Sequence, residues 1–348
     1  MSITELQFQA KSVESAPEQA IQGRSQWQLT WRRLRSDRVA VGSMIVIAVI
    51  VICAIIAPVF AALTGHPVDQ EYPNTGWTPQ GLPVGPLTHG FLLGTDSQAR
   101  DLIVRIAYGA RISLFVGIST TLVATLAGVA IGMISGYFGG TVDAVLARFI
   151  DAVLAFPFIV LALSLAAVFG PSLLIVLVVI TFFSWAGISR VVRGQTLSIK
   201  EKEYVEAARS LGAGPWRIMF IDILPNLLAP VLVLATLSIP AAIVFEATLS
   251  FLGLGIQLPT PSWGNMLADA QNDFQVAWWY LLFPALALLI TTLAFNLLGD
   301  GVRDAMDPRT ERIFAAANTR RGKRMRRRLA AIDVLSADPT QPSLGGQS

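Results

Sequence analysis

The sequence predicts an all-α membrane protein with six transmembrane helices and both termini cytoplasmic. Three observations predict it. Hydrophobic residues make up 53% of the 348 and charged residues only 14%, against roughly 25% charged in an average soluble domain. Six apolar runs are each long enough to cross a bilayer core of about 30 Å as a helix. Lysine and arginine gather in segments that six alternating spans place on one side.

Residues 1–38 are polar, with Lys11, Arg24, Arg32, Arg33, Arg35 and Arg38 set among Gln, Ser and Glu. A flexible tail ending in a basic clamp is expected there. Residues 39–63 hold no charge. The run exceeds the ~7–15 apolar residues of a secretory signal, so it is read as the first span. Residues 64–111 form an external loop, rich in Pro and Gly at first and periodic from Asp96 onward. There Leu102, Ile103 and Ile106 share a face, and Asp101 and Arg105 are spaced to pair at i, i+4, which predicts a helix along the membrane surface.

The remaining five spans are placed at 112–134, 149–168, 171–189, 231–251 and 277–298, within a five-helix core over 112–300. The tail 301–348 is basic, with TRRGKRMRRR at 319–328. It reads as a topology anchor able to contact anionic lipid, at about 1 kcal/mol per basic residue. No aromatic residues accompany the run, so nucleic acid is not an expected partner.

The charge census sets the orientation. Of 26 Lys and Arg residues, 6 lie in the N-terminal tail, 6 between Arg190 and Asn226, and 10 from Gly301 onward. Only 3 lie in the loop after span one, and none lies between Leu252 and Val276. The basic side is cytoplasmic. Residues 64–111 and 252–276 are then external, with Trp263, Trp278, Trp279 and Tyr280 at the level of an outer aromatic belt. Asp269 and Asp273 in the second external segment are candidate contacts for an external partner.

One polar island interrupts the apolar chain at 190–226, RVVRGQTLSIKEKEYVEAARSLGAGPWRIMFIDILPN. In its first half Tyr204, Val205, Ala208 and Leu211 recur at helical spacing while the charges fall elsewhere, which predicts a short amphipathic helix. Gly212, Ala213, Gly214 and Pro215 end that helix and start another. The island is a short, rigid, mixed-charge knob between two spans.

Some chemistry is missing. No GxxxxGK[ST] phosphate loop, HExxH or cysteine cluster occurs, and Cys53 stands alone in an apolar run. No cofactor or metal is therefore expected, and any ATP must be hydrolysed on another chain. His66 and His89 are far apart without a carboxylate or thiol frame, and read as solvated loop residues. Ionisable groups inside the membrane are more informative, at about 2.5–3.5 kcal/mol each on insertion scales. Arg148 and Asp151 are one turn apart and are expected to pair. Glu246 has two readings, lining a pathway or hydrogen-bonding to a neighbouring helix. Gly128, Gly132 and Gly136 form a small-residue ridge for close helix packing. Pro157, Pro240 and Pro284 interrupt spans three, five and six.

Glu206, Ala207, Ala208 and Gly212, followed by Leu224 and Pro225, resemble the EAA motif of ABC importer permeases. The stretches GTDSQARDLIVRIAYGARISL at 94–114 and EATLSFLGLGIQLPTPSWGNML at 246–267 resemble the dipeptide, oligopeptide and nickel group, in its C-type subunit. The resemblance covers roughly residues 30–314 and implies the type I importer permease fold. It also implies that 190–226 is a coupling loop docking on a cytosolic ATPase through Tyr204, Glu206, Ala207, Ala208, Leu211 and Gly212. The implied partners are a second, similar permease, two ATPase subunits and an external solute-binding protein, with peptides, glutathione or nickel chelates as cargo. A secondary transporter would show coupling-ion sites and usually an internal repeat, a membrane enzyme a catalytic constellation, and neither is found. A channel is separated from an importer by dependence on an ATPase.

Overall fold

The computed structural model describes residues 26–306, where the regular elements are helices. They are α1 (Gln26–Ser36), α2 (Arg38–Ile55), α3 (Ala57–Thr64), α4 (Leu102–Phe138), α5 (Gly140–Ala155), α6 (Phe158–Phe169), α7 (Leu173–Lys200) and α8 (Glu203–Ser210). The last three are α9 (Pro215–Phe251), α10 (Trp263–Ala270) and α11 (Trp278–Met306). Helices α2, α4, α7, α9 and α11 are each long and apolar enough to cross a membrane, and the bent pair α5 and α6 makes a sixth when taken as one span.

The sequence explains most of the boundaries. Asp37 caps α2, its side chain accepting from the Val39 amide at 2.9 Å. Pro58 lacks the N–H that would continue α2, so the first span is built from α2 and α3 with a break at Ile56. Asp101 caps α4 by accepting from the Ile103 amide. No proline follows until the helix ends at Gly139 and Gly140, both at positive φ. Residues 102–111 are therefore the first turns of the second span rather than a separate surface helix.

In the third span Pro157 forces Phe156 out of the helical region, to φ −74° and ψ 133°. The two halves meet at 79°. Pro230, Pro240 and Pro284 are accommodated inside helices.

The predicted glycine ridge is the seam on which α4 packs against α7. A Cβ at Gly128 would lie 2.8 Å from the Ile188 Cβ, at Gly132 2.5 Å from the Ser189 carbonyl oxygen, and at Gly136 2.7 Å from the Thr196 Cβ. Helix α4 also packs on α9, and α11 packs on both α9 and α2. Beneath the seam, Trp185, Ile188, Val192 and Ile199 of α7 join Val205, Ile218, Met219 and Leu227 in one buried cluster that seats α8.

Part of the segment expected to be a flexible tail is the helix α1. Leu34 is buried with Ala40 and Ala305, and the Arg33 guanidinium donates to the Ala305 carbonyl at 3.3 Å. Residues 1–25 and 307–348, with the basic run at 319–328, lie outside the described residues.

Candidate functional site: the α8 knob and the charges around it

Helix α8 carries the island. Glu203 and Glu206 sit in its first turn and Arg209 in its last, each complementing the helix dipole. Val205 is fully buried and anchors the helix to the cluster of Ile218, Met219 and Ile223. Tyr204, Glu206 and Ala207 face outward, Ala208 is half-buried against the same cluster, and Leu211 is 89% exposed. Burial and then the Asp222 carboxylate push the Tyr204 phenol above its ordinary pKa.

The helix ends in a two-bond glycine cap. The Ala213 amide donates to the Ala208 carbonyl and the Gly212 amide to the Arg209 carbonyl, both at 3.0 Å, with Gly212 at φ 82°. This is the Schellman arrangement, and the left-handed position suits glycine. The six residues singled out by sequence thus form one knob, five on its exposed surface and Ala208 on its inner side.

The knob is tied to the spans by polar contacts that sequence reading missed. Arg193 donates to both carboxylate oxygens of Asp143, at 2.5 and 2.6 Å, and the Ser135 hydroxyl also bonds Asp143. Lys200 donates to the Gly136 carbonyl at 2.9 Å, closing the end of α4. These bonds join α4, α5 and α7 just before α8. The only sequence signal was an isolated Asp143 beside Gly139 and Gly140. Asp143→Asn is expected to lower stability by about 1–2 kcal/mol, a charge-assisted pair discounted for partial exposure. Thermal unfolding in detergent checks it, and an unchanged midpoint would show that the pair contributes nothing.

Several pairings differ from expectation because the nearest partner in space is not the nearest in sequence. Asp151 pairs with Arg190 of α7 at 2.5 Å instead of Arg148, both side chains about half exposed. Asp101 pairs with His66 at 2.6 Å instead of Arg105. His66 is not a solvated loop residue, since its ring also stacks on Phe91 with centroids 4.7 Å apart. Asp269 is partly buried, with its Oδ2 shielded from solvent. Exposed Trp216 and Phe220, stacked at 6.3 Å beside α8, were also missed, although their i, i+4 spacing was a signal.

Glu246 is fully buried in α9. Its carboxylate accepts from Ser113 of α4 at 2.8 Å and from Ser250 one turn on at 2.9 Å. Ser250 also accepts from the Ile256 amide at 3.2 Å, which pins the turn after α9. Helix α10 folds back onto this corner through a capping box of Ser262 and Asn265. Among the described residues no group of three or more His, Cys, Asp or Glu side chains could hold a metal ion.

Comparison with known proteins places this architecture. Residues 128–312 match the model of the binding-protein-dependent transport system inner membrane component, and residues 25–78 that of the N-terminal TM domain of oligopeptide transport permease C. The chain is 41% identical to the oligopeptide transport system permease protein OppC of Haemophilus influenzae, over 87% of this chain and 94% of that protein. It is 41% identical to the dipeptide transport system permease protein DppC of Bacillus subtilis, over 81% and 85%. It is equally identical to the glutathione transport system permease protein GsiD of Pectobacterium atrosepticum, over 82% and 92%. The fold is also similar to that of the inward-facing MetNI methionine ABC transporter, with a TM-score of 0.50 at 19% identity over 59% of this chain and 96% of that one. The chain therefore belongs to the binding-protein-dependent transport system inner membrane components, the multi-pass permease subunits of ABC importers.

Proposed function

We propose that this permease imports peptides, forming half of the translocation pathway beside a second, homologous permease. ATP is hydrolysed on two cytosolic ATPase subunits that dock on α8, and cargo arrives on an external solute-binding protein. The chain itself catalyses nothing. The observation that carries this is the knob. An exposed helix with a buried Val205 anchor is joined through Asp143, Arg193 and Lys200 to three spans. Force applied to the knob reaches the spans because these contacts are packed and bonded rather than flexible.

In this reading the α8 end is cytosolic, residues 65–101 and 252–276 are external, and the termini are cytoplasmic. The α5–α6 break supports a pathway face. Leu154 to Pro157 are exposed there, near the half-exposed Asp151–Arg190 pair. Broken backbone and charge at membrane depth are tolerated against protein or water but not against lipid. Glu246 acts in helix packing, since its carboxylate accepts from Ser113 of α4 and Ser250 of its own helix. Glutathione is a second cargo reading, favoured by the equal identity to the glutathione permease.

The test replaces residues 201–214 by a Gly-Ser linker in the tagged permease and asks whether the ATPases still co-purify. Loss of at least 90% of the ATPase, with the six spans still inserted, is expected. Retention of the ATPase on the linker variant would remove α8 as the docking element. No ATPase on the native chain would leave a channel or secondary transporter instead.

A further inference from the structure

A second polar cluster lies at the opposite end of the bundle from α8. Arg105, in the first turn of α4, is 1% exposed. Its Nε lies 3.1 Å from Asp96 Oδ2 as an ion pair, and its Nη1 lies 3.4 Å from the Val68 carbonyl and 3.7 Å from Asp69 Oδ1. The same Nη1 also reaches the Pro259 carbonyl, 3.4 Å away and 154 residues along the chain. One side chain thus joins the segment 65–101 to the turn between α9 and α10.

Asp96 is held in place for this contact. Its Oδ1 accepts from the Gln98 and Arg100 amides at 2.9 Å, and its Oδ2 from Arg100 Nε at 2.7 Å. Yet the cluster is not closed. Arg100 Nη2, Arg105 Nη2 and Asp269 Oδ2 are buried without a hydrogen-bond partner. Burial raises the Asp269 pKa, the charges of Arg100 and Arg105 oppose the rise, Asp96 adds to it, and a hydrogen bond with Tyr280 opposes it, so Asp269 belongs to the same electrostatic cluster. Leaving a buried polar group unpaired costs about 1–3 kcal/mol. The two guanidiniums therefore keep donor capacity that can take a new partner when the elements carrying them shift.

Those elements lead inward. Trp263 Nε1 donates to the carbonyl of Ile106, the residue after Arg105, at 3.2 Å. A Cβ at Gly264 would lie 2.6 Å from the Ala247 Cα, so α10 rests directly on α9 beside Glu246. The path runs from half-exposed Asp69 through Arg105 to Pro259, α10 and Glu246.

We infer that Arg105 is a positioning residue that transmits binding-protein docking on the segment 65–101 to α10 and the spans, with Asp269 as its exchange partner. This rests on the importer reading above. A cluster that only held the fold together would affect every activity of the complex alike. A transmitting residue affects only the response to the binding protein.

The experiment measures ATP hydrolysis by the full complex in nanodiscs against concentration of peptide-loaded binding protein, for the native chain, Arg105→Gln and Asp269→Asn. For Arg105→Gln the basal rate is expected within about twofold of native and the half-saturating binding-protein concentration unchanged, while maximal stimulation falls about tenfold, inside the ~5–150-fold range of a coupling energy. Asp269→Asn is expected to lower maximal stimulation about threefold, about 0.65 kcal/mol. Full stimulation of Arg105→Gln, or basal and stimulated rates falling in the same proportion, overturns the inference. If Arg105→Gln fails to assemble, Asp269→Asn decides, because asparagine keeps the shape of the side chain and its reach to Tyr280 while removing the charge that Arg100 and Arg105 feel. Native stimulation of that variant overturns the inference too. A native complex that never responds to binding protein fails the importer reading instead.

Discussion

Gly212→Val is expected to leave the permease inserted while cutting ATP-driven peptide uptake by about tenfold, within the ~5–150-fold range of a coupling free energy. The cause is conformational. A Cβ at Gly212 would meet nothing within 4 Å, but its φ is +82°. A branched side chain there costs at least the ~1–2 kcal/mol of the left-handed region. The relief is to unwind the cap, losing the bonds from Ala213 to Ala208 and from Gly212 to Arg209, and α8 then loses its fixed angle to α9. Gly212→Asn is the informative companion, because asparagine tolerates this conformation. Uptake of labelled tripeptide, normalised to membrane level, should stay within about twofold of native for Asn. Equal loss for both variants would mean that Gly212 supplies space at the ATPase surface rather than backbone shape. Normal uptake by Gly212→Val would remove the cap from the coupling device.

Gly132→Leu is expected to lose about 3 kcal/mol or more, the upper range for overpacking, because the clash is with backbone. Its Cβ would lie 2.5 Å from the Ser189 carbonyl oxygen, 2.9 Å from the Val192 Cβ and 3.0 Å from the Arg193 amide nitrogen. Backbone cannot rotate away as a side chain can. The α4–α7 seam must open, and with it the Arg193–Asp143 and Lys200–Gly136 bonds below. Size-exclusion profiles and melting midpoints in detergent read this directly. Gly187, on the exposed face of α7 with nothing within 4 Å, is the control. Gly187→Ala is expected to be neutral or to stabilise by up to about 1 kcal/mol through helix propensity. Similar melting of Gly132→Leu and native protein would show that the seam is not tightly packed.

Much of the site was legible. The knob could be read because its charges, its helical spacing and its Gly212 stop all lie within about a dozen residues, where local preference decides structure. The ridge of Gly128, Gly132 and Gly136 was legible for the same reason, as a spacing on one helix. The charge pairs were not. Asp101 with Arg105 and Arg148 with Asp151 were the local choices, one turn apart in sequence. The structure selects His66 for Asp101 and Arg190 for Asp151, because those side chains are the ones the fold brings within hydrogen-bond reach. A helix-spacing rule has no access to a partner 35 or 39 residues away.

The sequence by itself determined that this chain is a multi-pass membrane protein and presents a polar knob between the fourth and fifth of its apolar runs. Both follow from apolar length and local charge, which a bilayer sorts without reference to any other part of the chain. Only the tertiary structure decided what holds the knob and what closes the far end. The bonds that do so join Arg193 to Asp143, Ser113 to Glu246 and Arg105 to Pro259 across 50, 133 and 154 residues. Such contacts exist only after the helices have packed, since a buried donor or acceptor takes whichever partner the packing brings within reach.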